Sequence, residues 1–227
     1  MTPEKKNPAT KLWIIVSAGL VLIVGLAAVL AFAGGDKKAI KPAVVVGTVE
    51  EYQTVTVTGP ALRNMSDPDK DRAVGTQAPQ IDGKSFDGTP VSIKPGKPTL
   101  IVLLAHWCPH CQREVPRLVQ WNQDGGVPAG IDIVGISTSA KPARPNWPAS
   151  AWLAKERFPW PVLADDPTTD AAIALGLTGF PTFVFLDAEG KVLFRASGEL
   201  EMNALRDKIT SALRSGTTVV GTSSVGS

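Results

Sequence analysis

Trp107-Cys108-Pro109-His110-Cys111 contains both cysteines of the 227-residue chain. Before it runs Thr99-Leu100-Ile101-Val102-Leu103-Leu104-Ala105, an apolar stretch of strand length that follows a Pro/Gly-rich turn. After it, Gln112 to Gln123 places Val115, Leu118 and Val119 on one helical face. The pattern predicts a strand, a tight junction and a helix, with the first cysteine at the helix N-terminus. Backbone N–H groups without intrahelical partners, together with the helix dipole, favour a thiolate there. Cys111 lies one turn further in, close enough to close a disulfide with Cys108. The pair points to disulfide exchange, with an inert disulfide as the plainer alternative.

Outward from this centre the pattern alternates strands and helices. Gln53 to Thr58 and Val91 to Ile93 read as short strands, and Asp82-Gly83 and Asp87-Gly88 read as turns. Ile131 to Ser137 reads as a second buried strand. A Pro-rich loop over 141–148 contains Asn146-Trp147-Pro148, and helices are expected over 149–157 and 168–175. Thr182 to Leu186 and Val192 to Ala196 form a hairpin across Asp187-Ala188-Glu189-Gly190, and Glu199 to Leu213 closes the domain as a helix. Trp147, Trp152 and Trp160 lie between core elements and read as packing residues. The order is α/β: a central mixed sheet with parallel strands joined by a crossover, and an antiparallel hairpin, flanked by helices.

Leu12 to Ala33 carries no charge and is long enough to cross a hydrocarbon core of roughly 30 Å. Ala31-Phe32-Ala33 resembles a cleavage site, so a signal peptide is the alternative to an uncleaved transmembrane helix. The lysines on either side of this stretch discriminate little, and the short polar N-terminus argues for N-terminus inside. The organisation read from the chain is therefore a cytoplasmic N-terminus over 1–11 and an anchor over 12–33. A linker with one short strand follows over 34–72, then a compact domain over 73–214 and a disordered tail over 215–227. Setting aside Lys5, Lys6, Lys11 and Glu4, the 23 basic and 21 acidic residues balance beyond Ala33, so nothing suggests nucleic acid.

The strand–Trp-Cys-x-x-Cys–helix order resembles the thioredoxin fold, with Gly179-Phe180-Pro181-Thr182 where such proteins carry a cis-proline. More closely, Ala78-Pro79, Asp87-Gly88, the run Cys108 to Pro116 (CxxCxxExP) and Phe183 to Asp187 with Gly190-Lys191 resemble the membrane-anchored TlpA/ResA-type thiol–disulfide oxidoreductases. The likeness covers roughly residues 75–213. It implies a thioredoxin-like domain on the outer face of a bacterial cell membrane, single-pass, or secreted if the signal is cleaved. Protein thiols or disulfides would be the substrates and a membrane protein the redox partner, with no cofactor beyond the cysteine pair. It also implies reductase work, such as on the haem-attachment cysteines of apocytochromes.

Residue by residue, Cys108 is the expected nucleophile and Cys111 the resolving thiol. His110, between them, can stabilise a thiolate when protonated and pulls the couple toward an oxidant; the Pro-His pair also occurs in oxidising DsbA-like proteins. The alternative is a solvated histidine. His106 reads as a rim residue. Glu114 is the acid/base candidate, because Val102 stands where thioredoxin has a buried aspartate; the alternative is a solvated helix face. Pro181 is expected to be cis and, with Trp107 and Phe180, to shape a substrate groove in which an extended chain pairs with exposed backbone. A different class remains open at this stage. It is a copper- or zinc-handling module built on Cys108, Cys111 and the histidines, although no second pair of ligands is visible in the sequence.

Overall fold

The computed structural model describes residues 48–67 and 70–220, with side chains described as far as residue 215. All of these fall in one unit that begins at Val46. The expected span at 12–33 lies outside the described residues. Among the described residues no helix is long and apolar enough to cross a membrane.

The apolar run ahead of the cysteines is strand β4 (Thr99–Leu104), where every residue after Thr99 is buried. Such a run has no polar face because the strand is central, covered on both sides. Its neighbours are β5 (Asp132–Ser137), parallel to it, and β7 (Thr182–Leu186), antiparallel to it. Beyond β5 lies β6 (Val162–Ala164), again parallel, and beyond β7 lies β8 (Val192–Ser197), antiparallel. The sheet order is thus β6-β5-β4-β7-β8. Strand β6 is absent from the sequence reading, since three residues after Pro161 are too few to show a period.

Alternation along β4 divides the core between the two sheet faces. Leu100, Val102 and Leu104 pack with Phe183, Phe185 and residues of helices α1 (Pro109–Gln123), α2 (Ala149–Lys155) and α4 (Met202–Val220). Among these are Val115, Leu118, Trp152, Leu205 and Ile209. Ile101 and Leu103 face the other way, onto Ala171 and Ala172 of helix α3 (Asp170–Ala174). That face is also covered by a second, antiparallel sheet of β1 (Thr56–Thr58), β2 (Gln80–Lys84) and β3 (Pro90–Ile93), through Ile81 and Ile93. Full burial of side chains such as Phe183 or Leu103 contributes about 1.5–3 kcal/mol each.

Three sequence expectations change. Asp82-Gly83 is not a turn but the middle of β2. A Cβ at Gly83 would come within 2.9 Å of Leu163 Cδ1, so glycine serves here to let β2 approach β6 closely. The described part of 34–72 is not a free linker. Strand β1 pairs with β2, Leu62 and Met65 are buried, and Asp71 forms a buried ion pair with Arg195 of β8 at 2.6 Å. Helix α4 begins at Met202 and runs through Ser215 to Val220, beyond Leu213. The hydroxyls of Thr210 and Ser215 turn back on the Arg206 and Ser211 carbonyls rather than breaking the helix.

Candidate active site

Strand β4 ends at Leu104, and Ala105 to Trp107 turn the chain into α1. Cys108 is the N-cap residue, with extended backbone (φ −77°, ψ 121°), and Pro109 opens the helix, where its missing N–H costs nothing. The Cys108 N–H donates to the Ala105 carbonyl at 3.0 Å, and its own carbonyl accepts the first helical bond from Gln112 at 3.0 Å. Both cysteines are free thiols in this structure. Cys108 keeps 6% of its surface and Cys111 none, so incoming sulfur meets Cys108 first.

Cys111 lies one turn behind, its sulfur accepting the Ala105 N–H at 3.5 Å. Burial pushes its thiol far above the ordinary range, and the nearby Cys108 sulfur and Glu114 charge push in the same direction. A thiol so placed needs help to lose its proton.

Glu114 is fully buried rather than on a solvated helix face. Its Oε1 accepts the Leu200 N–H at 3.0 Å and its Oε2 accepts from Arg117 Nη1 at 3.2 Å. Desolvation raises its pKa, and those two donors only partly offset the effect. A carboxyl held above its ordinary value by burial, with its charge felt at the Cys111 thiol, is suited to exchange a proton there. Val102, at the position of thioredoxin's aspartate, is fully buried in β4.

The peptide bond Phe180–Pro181 is cis, and the Phe180 carbonyl oxygen sits 3.9 Å from the Cys108 sulfur. The Pro181 carbonyl is held by Gly198 N–H at 2.8 Å, which fixes the segment facing the thiol. Trp107 packs edge-on to Phe180, ring centroids 5.8 Å apart, and donates its indole N–H to the Ser139 carbonyl at 2.8 Å. The structure thus brings Trp107, Cys108, Cys111, Phe180 and Pro181 together, with Glu114 behind them.

His110 is exposed but not merely solvated. Its Nδ1 lies 2.7 Å from Glu199 Oε1 and 2.9 Å from Arg113 Nη2. One nitrogen either donates to Glu199 or accepts from Arg113, never both, so the contact it makes follows the tautomer. Arg113 also grips both Glu199 oxygens, and Glu199 is held down at about 2 by Arg113 first and His110 second. Neither Arg113 nor Glu199 was visible as a site residue from sequence. Arg113 stands one helical turn after His110, a usable signal; Glu199 is 89 residues away and gives none.

His106 is not a rim residue. It is fully buried, with Nδ1 at 2.7 Å from the Pro145 carbonyl and Nε2 accepting the Lys141 N–H at 3.0 Å. The imidazole is therefore the Nδ1–H tautomer, pinning the 141–148 loop to the cysteine motif, and no ring nitrogen is left for a metal. Among the described residues no three His, Cys, Asp or Glu side chains are grouped to hold an ion.

The Redoxin family profile matches residues 73–212 of this chain. The thiol:disulfide interchange protein DsbE of Pasteurella multocida is 30% identical over 114 residues, half of this chain and 58% of its own length. A DsbE homologue of Paracoccus denitrificans is 27% identical over 143 residues, covering 61% of this chain and 74% of the relative. Among solved structures, a thioredoxin-family thiol:disulfide interchange protein of Chlorobium tepidum superposes with a TM-score of 0.50 at 27% identity. That match covers 61% of this chain and 97% of that one. The chain belongs to the Redoxin family, as a thioredoxin-like protein of the TlpA/ResA type.

Proposed function

We propose that this protein is a thiol–disulfide oxidoreductase acting on protein substrates through Cys108 and Cys111, anchored by residues 12–33 with its domain outside the cytoplasm. The observation that carries the reading is the placement of Cys108. It caps a helix N-terminus and faces the Phe180 carbonyl before Pro181, with Cys111 buried one turn behind. The names of the DsbE relatives support the same chemistry.

In the reducing direction Cys108 Sγ attacks one sulfur of a substrate disulfide, forming a mixed disulfide while the other substrate sulfur leaves with the electron pair. Cys111 then loses its proton toward Glu114 and attacks Cys108 Sγ. The substrate's second sulfur leaves as a thiolate, and the Cys108–Cys111 disulfide remains. The oxidising direction is the reverse sequence, and a membrane thiol or disulfide partner restores the pair. No cofactor enters either direction. About 30 mV shifts the couple's equilibrium tenfold, so small changes around the cysteine pair are enough to turn the exchange either way. The TlpA/ResA resemblance supports reduction of apocytochrome cysteines as the cellular task.

Trapping tests the chemistry. Cys111→Ser should accumulate mixed disulfides through Cys108, and Cys108→Ser should not; equal or absent trapping in both variants rejects the reading. Anchoring is tested separately: the full chain should stay with alkali-washed membranes, and its release into the wash would refute residues 12–33 as an anchor.

A further inference from the structure

The loop between β5 and α2 is built onto the cysteine motif. Five bonds hold it: His106 takes the Pro145 carbonyl and the Lys141 N–H, Trp107 Nε1 donates to the Ser139 carbonyl at 2.8 Å, Tyr52 Oη donates to the Ala140 carbonyl at 2.9 Å, and Asn146 Nδ2 donates to the His106 carbonyl at 3.3 Å. The backbone is thus fixed on both sides of Arg144 and at Lys141 itself. What this wall presents is positive charge. Lys141 Nζ lies 4.7 Å and Arg144 Cζ 5.4 Å from the centre of the Trp107 ring, one residue from Cys108.

These two cations differ from the others at the site. On the α1 side, Arg113 is paired with Glu199, and Arg117 with Glu114 and Glu201. Among the described residues no carboxylate lies within ion-pair distance of Lys141 or Arg144; Glu51, next to Tyr52 in the segment that braces the loop, is engaged by Ser150. Contact with the indole ring holds both side chains in place without neutralising them. A charge pair fixed beside a nucleophile and lacking a counter-ion selects for a partner that brings one.

We propose that Lys141 and Arg144 are specificity-determining residues. They recognise the carboxylate of an Asp or Glu flanking the reacting cysteine in an extended polypeptide laid along Phe180–Pro181. The inference rests on the thiol–disulfide reading above and names the kind of substrate it prefers.

Full-length reduced protein is mixed with cysteine peptides carrying a thiopyridyl disulfide, with flanking residues acidic, amide or basic. Cys108 Sγ attacks the peptide sulfur, the bond to the thiopyridyl group breaks, and the released thiopyridone reports the rate. Each rate is divided by that of the same peptide with 2-mercaptoethanol, which removes the flanks' effect on intrinsic reactivity. Two exposed charge contacts predict an acidic-over-amide ratio of about 2- to 30-fold. That ratio should collapse in about 1 M salt, where the screening length is about 3 Å. Lys141→Gln/Arg144→Gln should bring it to about one, and Lys141→Glu/Arg144→Glu should invert it in favour of basic peptides. Damage to the loop alone would slow all peptides alike and leave the ratio intact. A wild-type ratio near one, or a ratio that survives both double variants, overturns this inference while leaving the exchange chemistry standing. No reaction with any peptide overturns both.

Discussion

Replacing Glu114 with Gln separates its chemistry from its packing. The side chain is fully buried, accepts from Leu200 N–H at 3.0 Å and from Arg117 at 3.2 Å, and the amide is the same size. With its oxygen toward Leu200, Gln keeps the backbone bond and gives up the one to Arg117, which still holds the Leu200 carbonyl and Glu201 at 2.8 Å each. The lost bond costs about 1–2 kcal/mol, offset in part because a buried charge is also removed. Two kinetic effects oppose each other at Cys111. Removing the Glu114 charge lowers the Cys111 pKa, but that charge is the smallest of the influences raising it, well behind burial. Removing the proton acceptor costs about 10²–10⁴-fold in the resolving step. The second effect wins, so resolution of a preformed Cys108 mixed disulfide should slow by at least about 100-fold. The first attack by Cys108 should change far less. Stopped-flow fluorescence of Trp107 follows both steps. The wild-type resolving rate should climb as pH rises through the raised Glu114 pKa, above its ordinary 4.5, and the variant should lose that limb. Stability carries the matching sign. A raised carboxyl favours the folded state below 4.5 and loses that contribution as pH rises through the folded value, so the variant gains on wild type toward neutral pH. A resolving rate within threefold of wild type, or a variant that keeps the pH limb, would refute Glu114 as the proton acceptor.

Asp71→Asn should lower unfolding free energy by about 3–5 kcal/mol in denaturant titration, because Arg195 stays buried beneath the sheet with its counter-charge gone. Arg195 holds Asp71 below the ordinary carboxylate range, so the wild-type advantage should shrink as pH falls below the ordinary 3.8, and a loss under 1 kcal/mol would show the pair to be dispensable. His106→Leu removes two bonds to the 141–148 loop at about 0.5–1.5 kcal/mol each, and hydrogen exchange at the Lys141 amide should accelerate accordingly. Unchanged protection there would mean that the loop is held by its other contacts alone.

The parts of this fold that were legible in sequence are those whose cause is local. Strand β4 shows as an unbroken apolar run because it is covered on both faces, and Asp187 to Gly190 shows as a turn because Gly190 takes φ +81°, which side chains resist. The cysteine motif reads clearly because a helix start and a two-residue spacing fix its geometry within five residues. Opacity sets in wherever one charged residue has two meanings. Glu114 on a helix looks the same whether solvated or buried, and what buries it is the backbone of Leu200, 86 residues away. Asp71 in a polar stretch looks like loop until Arg195, 124 residues on, reaches it. His106 looks like a rim residue because the loop that covers it is itself polar and proline-rich. Each of these groups gains its role by losing water to a distant segment, and the free-energy consequences are large for that reason. Lys141 and Arg144 stand at the other limit. They keep their water and their charge, so only their position against Trp107 distinguishes them from any other surface cation. That is why a preference measured across substrates, rather than a loss of stability, is the observable that their position should move.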